Sequence, residues 1–280
     1  MLATTTRPTV FGIVLRAWRS VFQAAGLMIL LFALTYGLMV GLDIALDRLN
    51  HLLAVPSVDT LKEIIKDNRR LPWPGIFKAM ALDLAALLLR ALITAPLAVA
   101  IHRFILLGEA RSFFYLSRIT LRFSAWLVGL QLPLVILSWL MLFAGAATGL
   151  VPMLVIILIA LVLLQMQTLQ LFPGVAVEER YRDVSARLET ALERSEGMFW
   201  LSMVSLVLTL MPVVLARGIA VRAFTKLAQK VPLLIPVGKA TAGFLLVVLI
   251  AAAASWLYSY GAFKKSMPQG AVNSPTAPAS

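Results

Sequence analysis

There is no cysteine anywhere in the 280 residues. That excludes a disulfide framework, thiol catalysis and metal sites built on cysteine clusters. Histidine is nearly as scarce, with only His51 and His102, so a site needing several imidazoles is out of reach. Charge is thin as well: 14% of residues are Asp, Glu, Lys or Arg, against about 25% in soluble domains. A water-soluble fold dresses its surface in polar groups, and this chain has too few. Acidic residues are the scarcer kind, 13 against 25 Lys and Arg, for a formal charge of +12. No G-x-S-x-G elbow, no phosphate-binding glycine loop and no H-E-x-x-H pattern occurs. Those absences remove common serine, nucleotide and zinc chemistries. No cofactor and no metal is expected, and the reading leans away from an enzyme.

What the chain has is apolar length. Hydrophobic residues make up 61%, and the mean hydropathy is +0.92. A membrane-crossing helix needs about 20 mostly apolar residues, and six segments qualify. They run from about Ala24 to Leu46, Phe77 to Ile101, Ala125 to Ala144, Leu150 to Phe172, Met198 to Leu215, and Ile235 to Tyr260. No small-residue cleavage site follows the first, so it reads as a retained span. The fold class is therefore all-α, a polytopic transmembrane bundle of about six spans with amphipathic interfacial helices. Residues 1–263 form the membrane domain, and the Pro/Ser/Ala-rich stretch 264–280 reads as a disordered tail.

Three connectors carry helical periodicity. In "SVDTLKEIIKDNRR", Val58, Leu61, Ile64 and Ile65 share one face, and Ser57 or Asp59 can cap the start. "EERYRDVSARLETALERSEG" is a second, closing on Gly197, and "RGIAVRAFTKLAQK" is a third with Arg222, Lys226 and Lys230 as a basic stripe. All three are expected to lie along the membrane surface. Because the basic residues cluster beside apolar runs, their expected partner is anionic lipid rather than nucleic acid. Arg103, Arg222, Lys226 and Lys230 are the candidate head-group contacts. A second copy of the chain, or another membrane protein, is left open as a partner. The turn "GAATG" between the third and fourth spans carries no Lys or Arg. Charge-free tight turns translocate readily, so both termini are expected in the cytoplasm, although total Lys and Arg barely favours either side.

Arg90 stands near the centre of the second span, where a charge costs about 2.5–3.5 kcal/mol on insertion scales. Asp83, seven residues earlier, is too far along the helix for a direct pair. Arg90 therefore needs a partner from another helix, a lipid phosphate or water. Gln131 in the third span and Gln165, Gln167 and Gln170 in the fourth could supply amide oxygens. Gln167 and Gln170 share one helical face, away from Gln165, and with Gln131 are the candidates for a polar intramembrane cluster. Such groups either tie helices together or line a path for a solute or lipid.

The pair His102–Arg103, at the exit of the second span, invites a catalytic reading. The boundary reading is preferred: Arg103 reaching lipid phosphate and His102 in the interface, with no histidine at depth for membrane-embedded serine chemistry. "EERYR" (Glu178 to Arg182) resembles the glutamate-pair motif of intramembrane CAAX-type proteases. Asp183 stands where that motif has arginine, however, and the required histidines do not fall in spans as drawn.

"PLAVAIHRF" (Pro96 to Phe104) and "PGVAVEERY" (Pro173 to Tyr181) echo each other, each with arginine seven residues after proline and an aromatic following. A repeated unit or plain boundary chemistry would explain it. With the lead-in "VLRAWRSVF", the exit "HRFILLGE" and "LFPGVAVEER", the chain resembles uncharacterised bacterial inner-membrane proteins. These in turn are similar to the membrane domain fused to some glycerophosphodiester phosphodiesterases. The resemblance implies a six-helix protein of a bacterial cytoplasmic membrane. The soluble barrel of those fusions is absent. The expected role is a non-enzymatic scaffold or lipid-interacting protein. The alternatives are a small-solute or lipid transporter with a polar path near Arg90, and a membrane-embedded lipid enzyme.

Overall fold

The computed structural model describes residues 9–57, 60–61, 63–64, 72–110, 114, 116–144, 150–177, 197–228, 231 and 234–266. No strand occurs among them. The helices are α1 (Val10–Leu27), α2 (Ile29–Leu52), α3 (Trp73–Leu107) and α4 (Arg118–Ala144), then α5 (Val151–Thr168), α6 (Leu171–Val177), α7 (Phe199–Ala228) and α8 (Leu234–Ser266). Six stretches are long and apolar enough to cross a membrane: Ile29–Leu52, Trp73–Leu107, Arg118–Phe143, Val151–Val177, Phe199–Ala220 and Leu234–Gly261. In hydrocarbon there is no water to satisfy backbone N–H and C=O groups, so each span closes its own ladder as a helix. The chain is a multi-pass all-α membrane protein.

Local chemistry sets several ends. Thr9 Oγ1 accepts from the Gly12 N–H at 3.1 Å and caps α1. α3 begins with Pro74 in its first turn, where a missing N–H costs no helical bond. It stops at Gly108, whose φ of +74° is the left-handed conformation open to glycine. Ser57, one of the two caps that the sequence offers for the connector, accepts from the Thr60 N–H at 3.1 Å through Oγ; most of that connector lies outside the described residues.

α3 and α8 form the centre of the bundle. Ala95, Ala98 and Ala100 on α3 and Ala251 to Ala254 on α8 are all buried in one core. Small side chains there let backbones approach closely, which is how spans pack without a hydrophobic drive between them. α1, α2 and α7 flank α8, α4 flanks α3, and the short α6 rests across α3, α4 and α8. α5 stays at the edge, almost wholly exposed. A second, smaller cluster joins Leu61, Ile76, Ala79 and Trp139 below the main core.

Side-chain pairs give the registers. Ser20 meets Trp256, Phe32 meets Phe244 and Tyr36 meets Thr241, so α1 and α2 run as one line antiparallel to α8. His102 meets Ser255, and α3 runs parallel to α8. Ala91 meets Ser124 and Asp83 meets Trp139, so α4 returns antiparallel to α3.

Three boundaries differ from expectation. α3 continues to Leu107, which brings His102 and Arg103 inside the span rather than after it. α7 runs unbroken through Arg217 to Ala228, beyond the apolar span that ends at Ala220, so that basic segment continues the same helix and is not a separate one. Arg222 and Lys226 ride on it, and Lys230 lies outside the described residues. The chain also breaks between Thr168 and Leu171, which separates Gln167 from Gln170. "EERYR", the segment 178–196 and the tail 267–280 lie outside the described residues.

Candidate functional site

The polar groups of the spans collect at two levels. α8 serves as a ruler: between Lys239 and Lys264 it carries no charge, and its aromatic belt begins at Trp256. Lys239 to Trp256 is seventeen residues, about 26 Å at 1.5 Å per residue. That is close to the roughly 30 Å of a hydrocarbon core. The two levels sit at the ends of this interval.

At the Lys239 level, Arg90 Nη2 donates to Asp43 Oδ1 at 2.5 Å, tying α3 to α2. The antiparallel register puts Asp43 level with about residue 234 of α8, and the parallel register puts Arg90 level with about residue 243. Lys239 lies between them. α3 runs from Trp73 to Leu107, and Arg90 stands at its middle, seventeen residues from either end. The Arg90 side chain is 48% exposed and Asp43 is buried. Arg90 is thus central in its helix but half exposed rather than buried, and its ionic partner is a carboxylate rather than an amide. Asp83 accepts a 3.0 Å bond from Trp139 Nε1 on α4, a further tie near the same face.

None of the predicted amides meets Arg90. Gln131 and Gln167 are exposed, on α4 and α5. Gln170 is buried with neither amide atom hydrogen-bonded. The amide that joins helices is Gln165, whose Nε2 donates to the Leu130 carbonyl on α4 at 2.8 Å.

At the Trp256 level the polar groups turn inward. His102 and Ser255 are almost fully buried, with Nδ1 and Oγ 2.7 Å apart. Ser255 Oγ also donates to the Ala251 carbonyl at 2.9 Å. Its single hydrogen is committed there, so the bond to histidine takes its hydrogen from Nδ1. That polarity is the reverse of a serine nucleophile handing its proton to a base. Phe123 packs on the imidazole and Phe172 on Phe123, with ring centroids 5.6 Å and 5.1 Å apart. The expectation of an interfacial His102 and no histidine within a span is therefore corrected.

Arg103 is corrected likewise. Its side chain is only 10% exposed, turned away from lipid. Nε donates to Glu109 Oε2 at 2.9 Å, and Nη1 donates to the Ala176 carbonyl at 3.3 Å. Gly108 makes the first bond, because its left-handed turn brings Glu109 back over the end of α3. The second sets a cation at the C-terminal carbonyls of α6, where it is favoured. The two echoing segments, Pro96 to Phe104 and Pro173 to Tyr181, meet at this contact. Beside it, Trp256 Nε1 donates to Ser20 Oγ at 3.1 Å, and the Arg16 guanidinium lies 5.3 Å from the Trp256 ring.

Asp43, Ser255 and Glu109 are the partners that the sequence alone did not reveal. A signal existed only for Asp43: it is the nearest acid to the apolar centre of the first span, and a charge in the next span needs a counter-ion. Among the described residues, no group of three His, Asp or Glu side chains is arranged to hold a metal. Compared with protein-family models, with curated proteins and with solved structures, the chain matches none. The likeness to the phosphodiesterase-fused membrane domain therefore rests on the short motifs alone.

Proposed function

We propose that this protein is a non-enzymatic membrane scaffold that engages lipid, in a bacterial cytoplasmic membrane with both termini inside. The observation that carries the reading is the use made of the polar side chains. Arg90 with Asp43, Asp83 with Trp139, His102 with Ser255 and Arg103 with Glu109 or Ala176 each form a tie within the protein. A solute path or a substrate site needs polar groups that are not all committed to such ties. A scaffold spends them on holding helices at fixed spacing.

Around that frame, Arg16, Arg19, Arg118 and Arg122 are exposed. The Ser20–Trp256 contact supports lipid engagement, because it sets Arg16 and Arg19 beside the aromatic belt of α8. A basic residue near an anionic surface adds about 1 kcal/mol of attraction. The test is reconstitution into nanodiscs of phosphatidylcholine alone or with added phosphatidylglycerol. Thermal stability is expected to rise with the anionic fraction, and the Arg16→Gln/Arg19→Gln/Arg118→Gln/Arg122→Gln variant is expected to lose most of that rise. No dependence on lipid charge would remove the lipid reading.

Transport near Arg90 is the second reading, favoured by the half-exposure of its guanidinium. Charge-coupled solute flux across proteoliposomes that vanishes in Arg90→Gln would establish it in place of the scaffold.

A further inference from the structure

We propose that α5 is the contact surface for a second copy of the chain, paired about a two-fold axis along the membrane normal, with Gln167 facing Gln167. α5 has two unlike sides. Leu154, Leu158, Leu161 and Gln165 are its half-buried side, and Gln165 is bonded to α4 through the Leu130 carbonyl. On the outward side, Met153, Ile156, Ala160, Leu163 and Gln167 are all exposed, with Met153 and Ile156 at 60% and 66%. Their spacing is three, four, three, four. That is the seam of a left-handed helix pair, here with small Ala160 at its middle for close approach.

Lipid alone accounts for four of these five residues. Gln167 is the exception. Gln165 donates to the Leu130 carbonyl, twelve residues into α4 from Arg118, and Gln167 is two residues further along α5, about 3 Å at helical rise, so both lie well inside the apolar spans. A carboxamide at that depth meets acyl chains, which offer no hydrogen bond, unless another protein covers it.

The occupant follows from the amide itself. A carboxamide carries both donor and acceptor, so the Gln167 of a second copy, met at equal depth, can satisfy both of its groups. Copies inserted in the same orientation can be related only by an axis along the membrane normal. Such an axis places equal residues at equal depth. The α5 stripe then meets itself in parallel, and one polar position fixes the register, as a single buried amide does in a coiled coil.

The naturally cysteine-free chain makes the test direct. Ile156→Cys, Leu163→Cys and Gln167→Cys are expressed singly in native membranes and oxidised with copper phenanthroline. Ile159→Cys, on the flank of α5, and Trp200→Cys, on α7, serve as controls. Covalent dimers of the chain's own mass are expected from the three stripe positions and not from the controls. In detergent or nanodiscs, Gln167→Leu is expected to weaken self-association about three- to tenfold, and Gln167→Asn to retain more of it. Cross-linking at all five positions alike means random collision and overturns the proposal. So does a cross-link to a protein of different mass. A monomer at every protein-to-lipid ratio, with no dimer from the stripe, overturns it as well.

Discussion

Across the seam between α2 and α3, Arg90 Nη2 donates to Asp43 Oδ1. Asp43 is buried while Arg90 is half exposed, so the pair is asymmetric. Removing the arginine strands a buried carboxylate, whereas removing the aspartate leaves a guanidinium that is already half exposed. Arg90→Ala is therefore expected to lower the unfolding temperature more than Asp43→Ala. The double variant should lose less than the two separately, with a coupling of about 1 kcal/mol once the exposure of Arg90 is discounted. Thermal unfolding of the four proteins in one detergent measures it, and simple additivity would show that the contact carries no energy.

Ser255→Ala is expected to cost about 1–3 kcal/mol, since it leaves the His102 Nδ1–H buried without an acceptor. Replacing both partners by apolar groups removes the stranded donor. His102→Phe with Ser255→Ala should therefore be more stable than Ser255→Ala alone, its ring filling the space beside Phe123. A double variant weaker than the single would contradict the clamp described here.

Arg103 and Glu109 separate in the same way. Arg103→Ala forfeits the Glu109 bond, the Ala176 carbonyl contact and buried packing, and about 2–3 kcal/mol is the expected cost. Glu109→Gln keeps an acceptor on a half-exposed side chain, and its cost is expected to stay below about 1 kcal/mol. Equal losses in chemical denaturation would mean that the Ala176 contact contributes nothing.

Depth can be read directly. Spin labels at Leu89→Cys and Lys239→Cys are expected to report similar, shallow positions, and one at Val207→Cys a deeper one. A label at Leu89 as deep as at Val207 would instead set Arg90 near the bilayer centre. In intact cells, Ala146→Cys should react with an impermeant thiol reagent and Ser266→Cys should not. Reaction at both would reject the orientation.

The parts legible in the sequence were those that depend on neighbours along the chain. Each span is a run of apolar residues, and the Ser57 cap and the Gly108 stop are local chemistry. The errors came where distant segments decide. Arg90 does stand at the middle of the 35-residue α3, but its half exposure and its Asp43 partner, 47 residues away, depend on how α2 packs against that helix. His102 was given to the interface because its depth could be inferred and its direction could not; the Ser255 hydroxyl that turns it inward is 153 residues away. Gln167 and Gln170 shared a face only on an unbroken helix. The basic run from Arg217 looked like a surface helix because charge usually ends a span, and here it does not end α7.

α8 has a further consequence through the order of synthesis. It is translated after every helix it packs against, and it supplies the partners of Ser20, Tyr36 and His102. Until it enters the bilayer, the earlier spans hold an open alanine-lined groove and three polar side chains lacking their mates. Such a half-built bundle is the form that a membrane protease or insertase would meet. A ribosome stalled before Leu234 leaves every one of those groups waiting, so the age of a nascent chain is written in which of its polar contacts are closed.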